Sequence, residues 1–140
     1  MKILDLAFTV LPVTNLKTAR AFYEGIIGLV PTKVYEKDGM GMIEYDIGHS
    51  TLAIGAGAPF FKPAPDGGAV AFEVDDFGAA LAQLKTANVA FVLDGYETPV
   101  CHMAIFKDPD GNQLMLHKRK AAGSDSTRAA CAEPSAGSTN

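Results

Sequence analysis

The chain has 140 residues, of which 48% are hydrophobic and 20% are charged, and its formal net charge is −4. This length accommodates one domain with a substantial core. The negative charge argues against nucleic acid as a partner, because neutralising phosphates requires clustered lysine and arginine. No window approaches the roughly 18 apolar residues of a membrane-spanning helix, so we also expect no membrane partner.

The amino-terminal sequence MKILDLAFTVLPV places one lysine before an apolar run, as a secretory signal does. Asp5 interrupts that run and no A-x-A-type cleavage site follows, so we do not interpret it as a signal. The two cysteines, Cys101 and Cys131, do not form the framework of a disulfide-rich secreted protein. The sequence therefore predicts a cytoplasmic protein.

The first half of the chain has the pattern of a strand, a helix and three further strands. A strand is predicted at residues 3–11, and Asn15 is placed to cap a helix whose apolar residues recur every three or four positions. Gly28 follows the last of these residues, where a left-handed helix cap is common. The three further strands are predicted at about 29–36, 40–47 and 50–55.

The second half repeats this order. Ala69 begins a strand, Asp76 is placed to cap a helix, and extended segments follow at about 89–93, 100–106 and 112–118. Asn15 and Asp76 each lie seven residues after a strand position, Phe8 and Ala69 respectively. We therefore interpret the two halves as an internal duplication.

The domain boundaries follow from this duplication. We predict a single domain at 1–120, with repeat one at about 1–56 and repeat two at about 67–120. The segment between the repeats is rich in glycine and proline and is not expected to hold regular structure. Residues 121–140 contain no large apolar side chain, so we predict a disordered tail.

The order of these elements resembles the vicinal-oxygen-chelate superfamily, which includes glyoxalase I, bleomycin-resistance proteins and extradiol dioxygenases. The resemblance rests on the doubled βαβββ plan and on AFYE at 21–24, AFEVDD at 71–76 and DPDGN at 108–112. It implies an α+β fold in which two βαβββ repeats form a glyoxalase/bleomycin-resistance-type module with a partial-barrel cavity. It also implies a homodimer, the common state of single-module members.

Enzymatic members of that superfamily hold a divalent metal in the cavity through histidine, glutamine or glutamate. The resemblance carries the four ligand positions onto Phe8, Ala53, Ala69 and Met115, with the neighbours of Ala53 as alternatives to it. None of these side chains ligates the hard or borderline divalent ions that the family uses. The sequence therefore predicts no metal site and no cofactor.

Three polar side chains are further candidates for contact with a ligand. His117 follows Met115 by two residues and lies on the same strand face, unless it is simply a partly exposed residue at a strand end. Glu44 either faces the cavity or belongs to a solvated strand face. His102 is adjacent to Cys101, but neighbours in a strand point to opposite faces and cannot form a catalytic dyad.

We expect one residue of the Cys101–His102 pair to face the cavity, and we interpret Cys101 as a small buried side chain. Phe60 and Phe61 are adjacent aromatic residues in the loop between the repeats. They either cover the cavity or pack at a subunit interface, and we favour packing.

The leading hypothesis is a small-molecule-binding protein of the glyoxalase/bleomycin-resistance type that sequesters an apolar or aromatic ligand without metal. Its candidate ligand-binding residues are Phe8, Glu44, Ala53, Ala69, His102, Met115 and His117. The alternative is a glyoxalase-like lyase, isomerase or dioxygenase that uses displaced metal ligands or no metal. A third hypothesis is an interaction module whose cavity has collapsed.

Overall fold

The structure is a computed structural model that describes residues 1–59 and 62–121. The predictions for Phe60 and Phe61, and for the tail beyond residue 121, lie outside the described residues. Among the helices that are described, none is both long and apolar enough to cross a membrane.

The first half contains a four-stranded sheet and one helical segment. The strands are β1 (Thr9–Pro12), β2 (Lys33–Lys37), β3 (Met40–Ile47) and β4 (Ser50–Ala56), and helix α1 (Leu16–Arg20) continues as a π-helix (Ala21–Ile26). The strand order is β1-β4-β3-β2, in which β1 is parallel to β4 and the other pairs are antiparallel.

The second half has the same plan. Its elements are β5 (Ala69–Glu73), α2 (Phe77–Thr86), β6 (Phe91–Glu97), β7 (Cys101–Lys107) and β8 (Gln113–Arg119). The strand order is β5-β8-β7-β6, and β5 is parallel to β8. The α+β class and the two βαβββ repeats are therefore confirmed, and the two sheets do not close into one barrel within the chain.

The first strand is shorter than the prediction of 3–11. Thr9 pairs with Leu52 in the parallel register, and β4 begins at Ser50. Residues 1–8 consequently pair with no strand in the part of the chain that the structure describes. An apolar run favours an extended conformation, but a strand forms only where a neighbour supplies hydrogen bonds.

Both predicted helix caps are present. The side chain of Asn15 accepts a hydrogen bond from the Thr18 N–H at 3.0 Å, and Asp76 accepts one from the Ala79 N–H at 2.9 Å. Gly28 has φ 87°, a conformation that glycine adopts at little cost. The π-helical turn after α1 was not predicted, because its wider spacing differs little from an α-helix in the sequence pattern.

The hydrophobic core lies between the two halves. On β4 and β8 every second side chain points toward the helices, and the largest of these are fully buried. The rings of Phe22, from the first half, and Phe106, from the second, have centroids 6.4 Å apart. The helix-bearing faces of both sheets therefore share one core, and the opposite face of each sheet is directed away from it.

The turn between β7 and β8 joins the halves through hydrogen bonds. Asp108 is buried, and its carboxylate accepts hydrogen bonds from the Tyr23 hydroxyl at 2.7 Å and from the Asn112 N–H at 2.8 Å. The Asn112 amide also donates to the Pro12 carbonyl at 2.8 Å. One turn of the second half thus holds both the helix and the first strand of the first half.

Replacing Tyr23 with phenylalanine tests this connection. We expect the free energy of unfolding at pH 7 to fall by about 1.5–3 kcal/mol, the usual contribution of a hydrogen bond to a charged group. Burial, and then the Asp108 carboxylate, raise the pKa of Tyr23 above its ordinary value. The stabilisation is therefore complete below pH ~10, where the unfolded tyrosine is neutral, and declines as the pH rises further.

Urea unfolding followed by circular dichroism at pH 7 and at pH 10–11 measures both effects. The wild-type stability should fall with pH faster than that of Tyr23→Phe, so the difference between the two proteins should narrow. Equal stability of the two proteins at pH 7 would contradict this role of Tyr23. A difference in stability that does not narrow at pH 10–11 would also contradict it.

Candidate functional site

The outer face of the second sheet carries the side chains that alternate with the core residues of β8. Leu114 and Leu116 point into the core, so Met115 and His117 lie on the outer face. The register places Met115 beside Ala71 of β5, and places His117 between Glu73 of β5 and Met103 of β7.

These side chains surround an open cleft of about 380 Å³. We name it the second-sheet cleft, and its lining residues are Ala71, Glu73, Met103, Met115, His117 and Arg119. Its apolar part is formed by two methionines and an alanine, and its polar groups lie toward the end of β8. Such a combination is typical of sites that bind small molecules, where apolar surface provides affinity and a few polar groups provide orientation.

The polar part is organised around the Glu73 carboxylate. His117 Nδ1 forms a hydrogen bond with one carboxylate oxygen, and the Arg119 backbone N–H donates to the other at 2.7 Å. The Glu73 side chain keeps 49% of its surface exposed, whereas the His117 side chain keeps 16%. The histidine is therefore held against the sheet, while the carboxylate still faces the cleft.

The ionisation of Glu73 is set by these contacts. Partial burial tends to raise its pKa, but the hydrogen bonds from Arg119 and His117 outweigh this and lower the pKa below the ordinary value. Glu73 is therefore a carboxylate at neutral pH. Because a carboxylate only accepts hydrogen bonds, His117 carries a proton on Nδ1.

Two of the predicted site residues, Met115 and His117, lie in the second-sheet cleft. A third, Ala69, is exposed and lies two residues before Ala71, on the same face of β5. The structure therefore brings three of the four second-half candidates together on one surface.

The first-half candidates lie on the other sheet. Ala53 is fully buried and pairs with Glu44, whose carboxylate is 3.4 Å from Lys33 Nζ. Phe8 precedes β1 and is 50% exposed. Within the described residues, the predicted lining is thus divided between two sheets rather than gathered around one cavity.

His102 lies on the helix side of the second sheet. Its ring centroid is 5.6 Å from that of Phe77, at the start of α2. His102 is not among the residues that line the second-sheet cleft, and its contact with a ligand stays a prediction. Cys101 is buried and its sulfur lies 3.2 Å from the Thr98 hydroxyl, in agreement with its interpretation as a packed side chain.

Sequence reasoning missed Glu73, Arg119, Ala71 and Met103. Ala71, Glu73 and Arg119 each lie an even number of residues from a predicted site residue on the same strand. Met103 pairs with His117 on the neighbouring strand. Strand alternation alone could have indicated Arg119 from Met115 and Glu73 from Ala69. The register between β5 and β8, which places Glu73 beside His117, cannot be predicted from the spacing of residues along the sequence.

A larger open cleft of about 500 Å³ lies on the surface of the first helical segment. Three of its four charged side chains form ion pairs, because Arg20 lies 2.6 Å from Glu24 and 3.7 Å from Glu36. Its apolar lining consists of Ala21 and the backbone of Gly25. We therefore favour the second-sheet cleft as the ligand site.

Comparison with known proteins identifies the family of this fold. A family model described as the Glyoxalase/Bleomycin resistance protein/Dioxygenase superfamily matches residues 5–116. Comparison with curated proteins gives no match.

Solved structures with the same fold include both binding proteins and enzymes. TnmS3, described as an antibiotic binding protein from Streptomyces sp. CB03234, is 24% identical with a TM-score of 0.72, over 86% of this chain and 99% of that one. Lactoylglutathione lyase from Agrobacterium tumefaciens is 19% identical with a TM-score of 0.65, over 81% and 92%. The fosfomycin resistance protein FosX from Mesorhizobium loti is 19% identical with a TM-score of 0.62, over 84% and 93%.

Proposed function

Since this chain belongs to the glyoxalase/bleomycin resistance protein/dioxygenase superfamily, we propose that it binds and sequesters an apolar or aromatic small molecule without a metal. The observation that carries this proposal is the second-sheet cleft, whose apolar surface ends in a hydrogen-bonded carboxylate and imidazole. Its volume of about 380 Å³ lies in the range of roughly 300–1,000 Å³ that ligand sites occupy.

The metal implied by the family does not fit the residues at the family's ligand positions. Phe8, Ala53 and Ala69 offer no ligand atom, and the thioether of Met115 suits only soft ions. Among residues 1–59 and 62–121, no group of three or more His, Cys, Asp or Glu side chains is arranged to hold a metal ion. We therefore derive no chemical step from a metal.

The ligand class is supported by the lining and by one structural neighbour. The methionines offer polarisable surface that interacts favourably with aromatic rings. A neighbour with the same fold is described as an antibiotic binding protein, and we propose antibiotics with aromatic groups as the first ligands to test. The enzymatic alternative is represented by the lyase neighbour, and the test must distinguish sequestration from conversion.

We also propose that the chain forms a homodimer and acts in the cytoplasm. Ile3, Leu4 and Leu6 are 78%, 84% and 83% exposed, respectively. Exposed large apolar side chains clustered in this way are costly in water and typically mark an interface. These residues precede β1, which is an edge strand of the first sheet, and we propose that a second copy of the chain covers them.

Isothermal titration with bleomycin and a panel of aromatic antibiotics tests sequestration directly. We expect at least one compound to bind with the same affinity before and after EDTA treatment and to be recovered unchanged by mass spectrometry. Met115→Glu should weaken that binding at least ~10-fold, because a charge would be introduced into the apolar surface. Ala82→Glu adds the same charge on an exposed helix position and should leave the affinity unchanged.

A converted product, or affinity that disappears when metal is removed, would support the enzymatic alternative instead. Failure of every compound to bind would contradict a preformed site for aromatic ligands.

Light scattering after size-exclusion chromatography tests the dimer. We expect a mass of about twice the 14.7 kDa chain and a shift toward the monomer for the double variant Leu4→Glu/Leu6→Glu. The matched control Ala79→Glu/Ala82→Glu places the same two charges on exposed positions of α2 and should remain dimeric. A monomeric wild-type protein at micromolar concentration would contradict the proposal.

A further inference from the structure

The second-sheet cleft contains an acceptor group whose hydrogen-bonding capacity is only partly used. A carboxylate offers about four acceptor positions, and the contacts from His117 and the Arg119 N–H are made to its two oxygens. With 49% of its side-chain surface exposed, Glu73 can accept a further hydrogen bond from the cleft side.

The charges around the cleft favour a neutral ligand. Glu73 contributes one negative charge and Arg119 one positive charge, and both side chains line the same cleft. The two charges sum to zero, so the cleft offers no net electrostatic attraction to a ligand of either sign. The polar end therefore suits a group that donates a hydrogen bond without carrying a charge.

The apolar part of the cleft adjoins this acceptor. Met103 shares a cross-strand row with His117, and Met115 lies one step further along the same face of β8. A flat ring placed against the two thioethers would therefore have its edge near Glu73. Methionine side chains adapt their shape and make favourable contacts with ring edges.

Resting on the proposed function, we infer that the second-sheet cleft selects neutral aromatic ligands bearing a phenol-type hydroxyl, which donates a hydrogen bond to Glu73. His117 and the Arg119 backbone act as positioning groups, since they hold the carboxylate without filling its outer face. Charge-assisted hydrogen bonds of this kind are stronger than neutral ones, so the hydroxyl should determine which aromatic compounds bind.

The probes are 2-naphthol and 2-methoxynaphthalene, which share a ring system and differ in the ability to donate a hydrogen bond. Both are fluorescent, and the chain contains no tryptophan to interfere. At pH 7 the naphthol is neutral, because phenols of this kind ionise near pH ~10. Titrations of the full chain followed by fluorescence give the two affinities.

We expect the wild-type protein to bind 2-naphthol at least ~10-fold more tightly than its methyl ether. Glu73→Ala should bind both compounds equally, because it loses the acceptor that distinguishes the hydroxyl from the ether. Glu73→Gln, which preserves the side-chain size and an acceptor oxygen, should show intermediate discrimination and serves if the alanine variant does not fold. The matched control is Glu97→Ala, which removes an exposed carboxylate paired with Lys120 in the same sheet.

The outcomes separate this inference from the function on which it rests. If both probes bind the wild-type protein equally, or if Glu73→Ala weakens both by the same factor, the inference is overturned while ligand binding stands. If neither probe binds, the proposed binding of aromatic ligands fails and the inference fails with it. Loss of discrimination in Glu97→Ala would also overturn the role assigned to Glu73.

Discussion

The buried carboxylate of Asp108 is the constraint on which the arrangement of the two halves depends. It closes the turn between β7 and β8 and accepts a hydrogen bond from the hydroxyl of Tyr23 in the other half. A carboxylate removed from water is costly unless its hydrogen bonds are satisfied, so this contact requires the first helix to lie against the second sheet. The helices therefore face inward, and the opposite faces of both sheets are left for other contacts.

This arrangement explains why the candidate site is a sheet surface. On β8, side chains alternate between the core and the second-sheet cleft, so Leu116 stabilises the fold while His117 lines the cleft. The parallel pairing of β5 with β8 then sets Glu73 beside His117. Fold and site depend on the same register, and a slip of one residue would exchange core and cleft side chains.

Much of the fold follows from local signals in the sequence. Asn15, Asp76 and the DPDGN turn act through contacts within a few residues, and these were predicted correctly. The start of β1 was predicted too early because strand length depends on a neighbour distant in sequence. For the site, Met115 came from the family resemblance and His117 from its alternation with Met115. Glu73 required the β5–β8 register, and the placement of His102 required knowledge of α2.

The central claim is that the outer face of the second sheet binds the ligand, and the methionine methyl groups report on it directly. The chain has five methionines, of which Met103 and Met115 line the cleft and Met1 lies at the exposed terminus. In protein labelled with ¹³C at the methionine methyls, saturating 2-naphthol should shift the Met103 and Met115 signals through the ring current and leave Met1 unchanged. Bound 2-naphthol with unmoved Met103 and Met115 signals would contradict the claim.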